Sequence, residues 1–267
     1  MPEDHFSRQA ESYARVRPGY PAALFAHVAA LAPATAAAWD CATGNGQAAV
    51  GLAEHFDVVL ATDLSARQIA HATAHPRVRY AAAPAESCGL PDAAVDAITV
   101  ATAAHWLDLD AFYGEARRVG RPGAVVAMWS YYGQTFDPPF DTAAAQRLHR
   151  EILDAYWPSG NRLAAGGYDA LPFPFAPLPW PSFEATARWS FDDFLAYLRS
   201  WSASQAYLAD RGADPVDLVA VELAAAWGGA PARTVRWALF GRAGRIDGRP
   251  SRSPRRSTSA GSTREDA

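Results

Sequence analysis

The sequence predicts an α/β fold in which helices cover both faces of a doubly wound, mostly parallel sheet. Short apolar stretches typical of buried strands alternate with helical patterns through about residue 130. A glycine-rich turn, AAWDCATGNG over residues 37–46, also joins the first predicted strand to a helix. Together these features predict right-handed strand–helix–strand units, with a ligand site at the carboxyl ends of the strands.

The elements of the first half are predicted from local signals. Pro21 suits the first position of a helix that continues to Leu31, because apolar residues recur there at helical spacing. The first strand ends at Asp40, and a helix follows the glycine turn. Ser65 is a suitable N-cap for a helix to Ala74. The later strands of this half are Val58–Asp63, Val78–Ala82, Val95–Val100 and Ala124–Trp129.

The second half has a different pattern. A helix is predicted over Thr142–Tyr156, and six prolines then interrupt residues 158–181. The remaining predicted elements are the strands Phe183–Trp189 and Thr234–Phe240 and the helices Phe191–Trp201 and Pro215–Trp227. Trp201 and Trp227 are predicted to pack in the core. For Tyr168, Phe173 and Phe175, a pocket and a packing role both remain open.

The glycine turn and two acids point to a nucleoside ligand. Gly44 and Gly46 permit positive φ and close approach of a ligand to the backbone. Asp63, at the tip of the second strand, is placed to accept both hydroxyls of a ribose. A pyrophosphate avoids a nearby anion, whereas Asp40 at the end of the first strand is expected to face the ligand with negative charge. The pair therefore favours the cationic S-adenosylmethionine over a dinucleotide.

At this point the chain resembles the class I S-adenosylmethionine-dependent methyltransferases, in their small-molecule branch (type 11, trans-aconitate methyltransferase-like). Their first motif runs acid-x-Gly-x-Gly-x-Gly, and here Ala42 replaces the first glycine. If φ is positive at that position, the alanine costs about 1 kcal/mol or more. The segments that extend the resemblance over about residues 5–130 are Pro84-Ala85-Glu86, Leu90-Pro91-Asp92, His105-Trp106 and the 117–129 region.

The resemblance implies a seven-stranded sheet with an antiparallel edge strand and a small helical cap. It implies one domain over residues 1–241, with a cofactor-binding core at about 34–131 and a cap at about 137–230. Arg17 would pair with the methionine carboxylate. The residues implied to contact the cofactor are Arg17, Asp40, Cys41, Ala42, Gly44, Gly46, Asp63, Leu64, Ala85, Glu86 and Trp106.

Charge distribution and composition limit the kinds of substrate and partner that we expect. Residues 242–267 hold seven arginines against three acids, a net charge of +4, so the total of −4 leaves −8 on residues 1–241. The acidic body argues against a nucleic-acid substrate, and the arginine-rich segment is predicted to be a disordered tail. No apolar run is long enough for a membrane span, and the acidic N-terminus is unlike a signal peptide, so we expect a cytoplasmic protein. The histidines lack metal-ligand spacing, so no metal is predicted.

The acceptor and the catalytic group stay open at this stage. A carboxylate acceptor needs no base, and Arg162 or Arg199 would suit it; a hydroxyl or amine acceptor makes His105 the candidate general base. His105 could equally be a wall of the cofactor pocket.

Two other functions are also compatible with the sequence. Gly44–Ala49 fits the G-x-G-x-x-A pattern of NAD(P)-dependent oxidoreductases, and Ala42 and Pro84 are compatible with a binding module that has lost turnover.

Overall fold

A computed structural model describes residues 18–158, 160 and 166–247. Its centre is a nine-stranded mixed sheet, in which the main path runs β3-β2-β1-β4-β5-β9-β6 while β7 and β8 also pair with β9. The strands are β1 (Ala37–Cys41), β2 (Val58–Asp63), β3 (Val78–Ala82), β4 (Val95–Ala101), β5 (Gly120–Tyr131), β6 (Thr135–Asp137), β7 (Ala176–Leu178), β8 (Phe183–Trp189) and β9 (Arg233–Arg245). The α/β class is confirmed, but the predicted number of seven strands is wrong for this part of the chain.

The helices of the described residues fall into a core set and a cap set. They are α1 (Ala22–Leu31), α2 (Gln47–Ala53), α3 (Ala66–Ala70), α4 (Leu109–Val119), α5 (Ala143–Arg147), α6 (Phe191–Arg199), α7 (Ser202–Arg211) and α8 (Ala220–Trp227). Short 3₁₀ segments cover Ala104–Trp106, Asp154–Tyr156 and Pro215–Leu218. Ser65 caps α3 as predicted, because its side chain accepts a hydrogen bond from the backbone N–H of Gln68. None of these helices combines the length and the apolar character that a membrane crossing requires.

The five strands β3-β2-β1-β4-β5 are parallel, as the alternation of strands and helices predicted. The strand order reverses between β1 and β4, which are neighbours in the sheet. Connections on the two sides of this point leave in opposite directions, so a crevice opens at the carboxyl ends of the strands. The fold therefore places the ends of β1, β2 and β4 around one site.

The antiparallel edge of the sheet has more strands than predicted. The strand β9 pairs antiparallel with β5 on one side and with β6, β7 and β8 on the other. It also continues to Arg245, so the proposed tail boundary at residue 242 is too early. Ile246 is buried, its amide donates to the carbonyl of Ala124 at 2.8 Å, and the Arg245 side chain donates to backbone carbonyls. Backbone pairing and these contacts order a segment whose composition suggested disorder.

The core lies on both faces of the sheet. On one face α1 and α2 pack against β5 and its neighbours, and this apolar cluster continues into the cap through Phe194 and Trp227. On the other face α4 packs with Tyr168 and Phe175. Trp227 is buried, as predicted for a packing residue, and Trp201 is half-buried against other rings of the cap.

Candidate functional site

A cavity of about 520 Å³ opens at the carboxyl ends of the parallel strands. Its wall runs from Pro84 and Glu86, beyond β3, past Asp63 at the tip of β2, to Thr102 beyond β4 and Tyr131 at the end of β5. This volume falls within the usual range of small-molecule sites, about 300–1,000 Å³. The crevice predicted from the strand order is therefore a cavity of ligand size.

Asp63 lies on the wall of this cavity and is hydrogen-bonded to the loops that follow β1 and β2. One carboxylate oxygen accepts the N–H of Gly44 at 2.8 Å, and the other accepts the N–H of Ser65 at the same distance. An ionised carboxylate has about four acceptor sites, so two remain for a ligand. The side chain is partly exposed on the cavity wall, where it can accept hydrogen bonds from neighbouring hydroxyl groups.

The glycine turn holds three residues at positive φ, namely Ala42 at 55°, Gly44 at 58° and Gly46 at 87°. Gly46 must be small, because a Cβ there would lie 2.1 Å from the hydroxyl oxygen of Tyr80. Ala42 has the left-handed conformation that an L-residue adopts at a cost of about 1–2 kcal/mol. The replacement of glycine at this position therefore strains the loop that forms the cavity wall.

The cavity is acidic in the part of the chain that the structure describes. The charged side chains on its wall are Asp63 and Glu86, and no arginine lines it among those residues. A bound pyrophosphate would need positive charge or free N–H groups, and two carboxylates repel it. The cavity favours a ligand with net positive charge.

Comparisons with known proteins agree with this geometry. A family model for a methyltransferase domain matches residues 39–128, which contain the glycine turn and the strands β2 to β4. A protein of Dictyostelium discoideum assigned as a methyltransferase is 31% identical over 217 residues, which are 77% of this chain and 80% of the relative. The chain belongs to the class I S-adenosylmethionine-dependent methyltransferases.

Solved structures support the same assignment of the methyltransferase. A protein of Anaeromyxobacter dehalogenans assigned as a type II methyltransferase is 47% identical, with a TM-score of 0.79 over 86% of this chain and 98% of that one. A protein of Anabaena variabilis, assigned as a methyltransferase from an antibiotic biosynthesis pathway, is 15% identical with a TM-score of 0.50, over 84% of this chain and 98% of that one. The second likeness concerns the fold alone.

Asp40 has a different position from the one expected. It is 0% exposed and does not line the cavity, so its carboxylate is enclosed by the protein. Its two oxygens accept hydrogen bonds from the hydroxyls of Thr43 at 2.5 Å and Thr99 at 2.7 Å. Burial raises the pKa of Asp40 to about 6, although the hydrogen bonds from Thr43, Thr99 and the Ala49 backbone oppose the shift. In the methyltransferase Asp40 therefore fixes the glycine turn to β4.

The remaining predicted cofactor contacts divide into three groups. Residues on the cavity wall are Ala42, Gly44, Asp63, Leu64, Ala85, Glu86 and Trp106. Cys41 and Gly46 are not on that wall. Cys41 is 0% exposed, and burial raises its thiol pKa, so it packs in the core of the methyltransferase as a small apolar residue. Arg17 lies outside the described residues.

His105 lies beside a second, smaller cavity of about 260 Å³, which it shares with Asp108, Asp110 and Leu171. Its Nδ1 is 2.8 Å from the hydroxyl oxygen of Tyr168, and burial lowers its pKa to about 4. Its neighbour Trp106 is the residue of this pair that lines the large cavity. A catalytic role for His105 therefore stays a prediction. Tyr168 is 1% exposed, so it packs in the methyltransferase core with its hydroxyl against His105.

The cavity wall also contains residues that were not identified from the sequence as site residues, and Tyr20, Thr102 and Tyr131 are among them. The hydroxyls of Tyr20 and Thr102 are 2.9 Å apart, and the Tyr20 ring lies edge-on to Phe25 and Trp129. Thr102 has a φ of 56°, which is rare for a β-branched residue. Tyr20 follows Arg17 by three residues in the sequence, so the signal that suggested Arg17 could also have pointed to Tyr20. Nothing in the local sequence marks the backbone of Thr102.

Proposed function

We propose that this methyltransferase transfers the methyl group of S-adenosylmethionine to a small molecule bound at the β4–β5 end of the cavity. The observation that carries the proposal is the position of Asp63 in an acidic cavity with a second, aromatic end. One end is formed by the tips of β2 and β3, and the other by Tyr20, Thr102 and Tyr131 near the tips of β4 and β5. Two ligands side by side match these two ends.

The residues at the β2–β3 end fit the nucleoside of the cofactor. Asp63 has acceptor sites left for two ribose hydroxyls after it binds the Gly44 and Ser65 amides. Ala85 and Glu86 lie beyond β3 on the same wall. The family resemblance implies that this segment lines the adenine ring of the cofactor. The acidic lining supports S-adenosylmethionine, because its sulfonium and ammonium groups and its single carboxylate give it a net positive charge. It also argues against the dinucleotide of an oxidoreductase.

The described residues at the acceptor end support an uncharged acceptor over a carboxylate. Arg199, a candidate partner for a carboxylate, instead forms ion pairs with Asp214 at 2.5 Å and Asp217 at 2.9 Å in the cap. Arg162 lies outside the described residues. The wall at this end carries the rings of Tyr20, Trp106 and Tyr131 and the hydroxyl of Thr102. Such groups bind hydroxyl-bearing, apolar compounds by hydrogen bonds and stacking.

Catalysis then depends mainly on orientation. The bound cofactor supplies an activated methyl group on a positively charged sulfur. The protein must hold the acceptor oxygen in line with the bond that breaks and keep water out, and such positioning accounts for much of the rate in reactions of this kind. Tyr20 is suited to this because its ring is fixed by Phe25 and Trp129 and its hydroxyl by Thr102.

Calorimetric titration with S-adenosylhomocysteine tests the cofactor assignment. Removal of the Asp63 carboxylate in Asp63→Ala should weaken binding by about 1–3 kcal/mol, or about 5- to 150-fold, because charge-assisted hydrogen bonds are lost. Asp57→Ala is the matched control, since Asp57 is an exposed acid just before the opposite end of β2. If the Asp63→Ala variant binds S-adenosylhomocysteine as tightly as wild type does, Asp63 does not bind the ribose.

Turnover separates an enzyme from a binding module. Labelled S-adenosylmethionine and a panel of hydroxyl, amine and carboxylate acceptors should give methyl transfer with at least one hydroxyl compound. Binding of the cofactor without transfer to any acceptor would instead favour the non-catalytic alternative. Binding of NADH in place of S-adenosylhomocysteine would favour the oxidoreductase.

A further inference from the structure

The carboxylate of Glu115 lies on the buried face of α4, where a charged group is costly unless it is paired. Glu115 is 7% exposed, and the other buried residues of the helix include Phe112, Ala116 and Val119. Arg118 donates from Nε and from a terminal nitrogen to the two Glu115 oxygens, each at 2.7 Å. These hydrogen bonds lower the pKa of Glu115, so its carboxylate is ionised at neutral pH.

Glu115 also binds a segment outside its own helix. Its Oε1 accepts the backbone N–H of Cys88 at 2.8 Å and the Cys88 thiol at 3.2 Å. Arg118 in turn donates to the carboxylate of Asp92 at 2.9 Å. Glu115 and Arg118 therefore hold two points of one connection, which runs from β3 to β4 over residues 83–94 and which we call the β3–β4 loop.

The β3–β4 loop forms one wall of the cofactor cavity. Its lining residues are Ala83, Pro84, Ala85 and Glu86. Residues 83–94 contain no helix or strand, so a regular ladder of backbone hydrogen bonds does not fix their shape. On one side of the lining residues the Ala83 amide donates to the Asp63 carbonyl at 3.0 Å. On the other side the Cys88 amide donates to Glu115, so these two contacts bracket the wall.

The wall carries an acceptor group that distinguishes two purines. Glu86 brings a carboxylate to it, and an ionised carboxylate accepts hydrogen bonds without donating any. Adenine presents an amino donor at position 6, whereas hypoxanthine presents a carbonyl oxygen there. A carboxylate in a fixed position binds the amino group and repels the oxygen, but a carboxylate on a mobile loop can turn away from the oxygen into water. Glu86 is exposed, so its position depends on the backbone of the loop.

We propose that Glu115 is a positioning residue for cofactor recognition, which fixes the β3–β4 loop through the Cys88 amide and so determines the preference of the cavity for adenine over hypoxanthine. The inference rests on the proposed function, because it requires the adenine ring to lie against this loop. Glu115 is not on the cavity wall and acts through the backbone. Removal of its carboxylate takes an acceptor from the buried Cys88 and frees the loop to move.

Calorimetric titration of the full chain with S-adenosylhomocysteine and with S-inosylhomocysteine tests the proposal. The two compounds differ in the purine ring alone. For wild type we expect S-adenosylhomocysteine to bind at least about tenfold more tightly, because the oxygen of hypoxanthine leaves the acceptor on the wall without a donor. Equal affinities would overturn this inference alone, whereas failure to bind S-adenosylhomocysteine contradicts the proposed function itself.

The variant Glu115→Leu removes both acceptor oxygens and keeps an apolar side chain of similar size on the buried face of α4. We expect it to bind S-adenosylhomocysteine about fivefold more weakly, with a change of less than about twofold for S-inosylhomocysteine. A role of Glu115 in stability alone would change both affinities equally, because it would lower only the fraction of folded protein. An unchanged ratio of the two affinities would therefore overturn the proposal.

Glu222→Leu is the matched control. Glu222 also binds an arginine, Arg147, through both carboxylate oxygens, but this pair lies in the cap and not on the cavity wall. The ratio of the two affinities should stay within about twofold of the wild-type ratio. If Glu222→Leu lowers the ratio as much as Glu115→Leu does, the effect is not specific to the β3–β4 loop and the inference is wrong.

Glu115→Asp provides a second variant, which keeps a negative charge near Arg118. Its carboxylate is withdrawn from the Cys88 amide by one methylene group, so we expect the ratio of the two affinities to fall about threefold. Should Glu115→Leu fail to fold, an unchanged ratio in Glu115→Asp would overturn the proposal.

Discussion

Replacement of Ala42 by glycine tests whether the cofactor loop is strained. Ala42 has a φ of 55° in the turn after β1, where an L-residue is disfavoured by contact between its Cβ and the following carbonyl. Glycine has no Cβ and adopts this conformation freely. The substitution therefore restores the residue type of the family motif and should stabilise the fold.

The expected magnitude follows from two opposing effects. Relief of the left-handed conformation contributes about 1–2 kcal/mol. Glycine also loses more conformational freedom on folding, which costs about 0.5–1 kcal/mol. The net expectation is a gain of about 0.5–1 kcal/mol, or a rise in melting temperature of about 1–4 °C for a domain of this size.

Urea unfolding measures the change, and Ala26→Gly provides the control. Ala26 is exposed in the middle of α1, where the same substitution should cost about 1 kcal/mol because glycine is a poor helix former. The two alanine-to-glycine variants should thus move in opposite directions and differ by about 1.5–2 kcal/mol. If Ala42→Gly destabilises the protein as much as Ala26→Gly does, the strain argument is wrong.

Two further predictions concern pH and have opposite signs. The folded pKa of Asp40, about 6, lies above its ordinary 3.8, so its contribution to stability is present at low pH and is lost, by up to about 3 kcal/mol, as pH rises through this window. Asp40→Asn should remove that loss, which urea unfolding at several pH values measures. If the free energy of unfolding depends on pH equally in the variant and in wild type, the prediction is wrong. The folded pKa of His105, about 4, lies below its ordinary 6.5, so the contribution of His105 is present above pH 6.5 and is lost as pH falls towards 4. His105→Gln should be less sensitive to acid in that range by the same measurement, and an unchanged acid sensitivity would mean that this histidine titrates freely in the native state.

The sequence by itself determined the parallel half of the molecule. The glycine turn, the apolar strands and Ser65 specify local structure through neighbouring residues, and the structure has β1 to β5 and the cap of α3 where these signals placed them. Asp63 lies on the cavity wall, as expected for an acid at the tip of a parallel strand, while its ribose-binding role stays a prediction.

Only the tertiary structure decided which side of a loop each functional group faces. Asp40 and Asp63 both end strands, yet Thr99 from β4 and Thr43 enclose Asp40, while Asp63 remains on the cavity wall. Thr99 is 59 residues away from Asp40 in sequence, so no local pattern predicts the contact. The length of β9 likewise depends on backbone pairing with β5 and not on its own composition. Burial and hydrogen bonding between distant segments determine these features, so a local sequence pattern does not predict them.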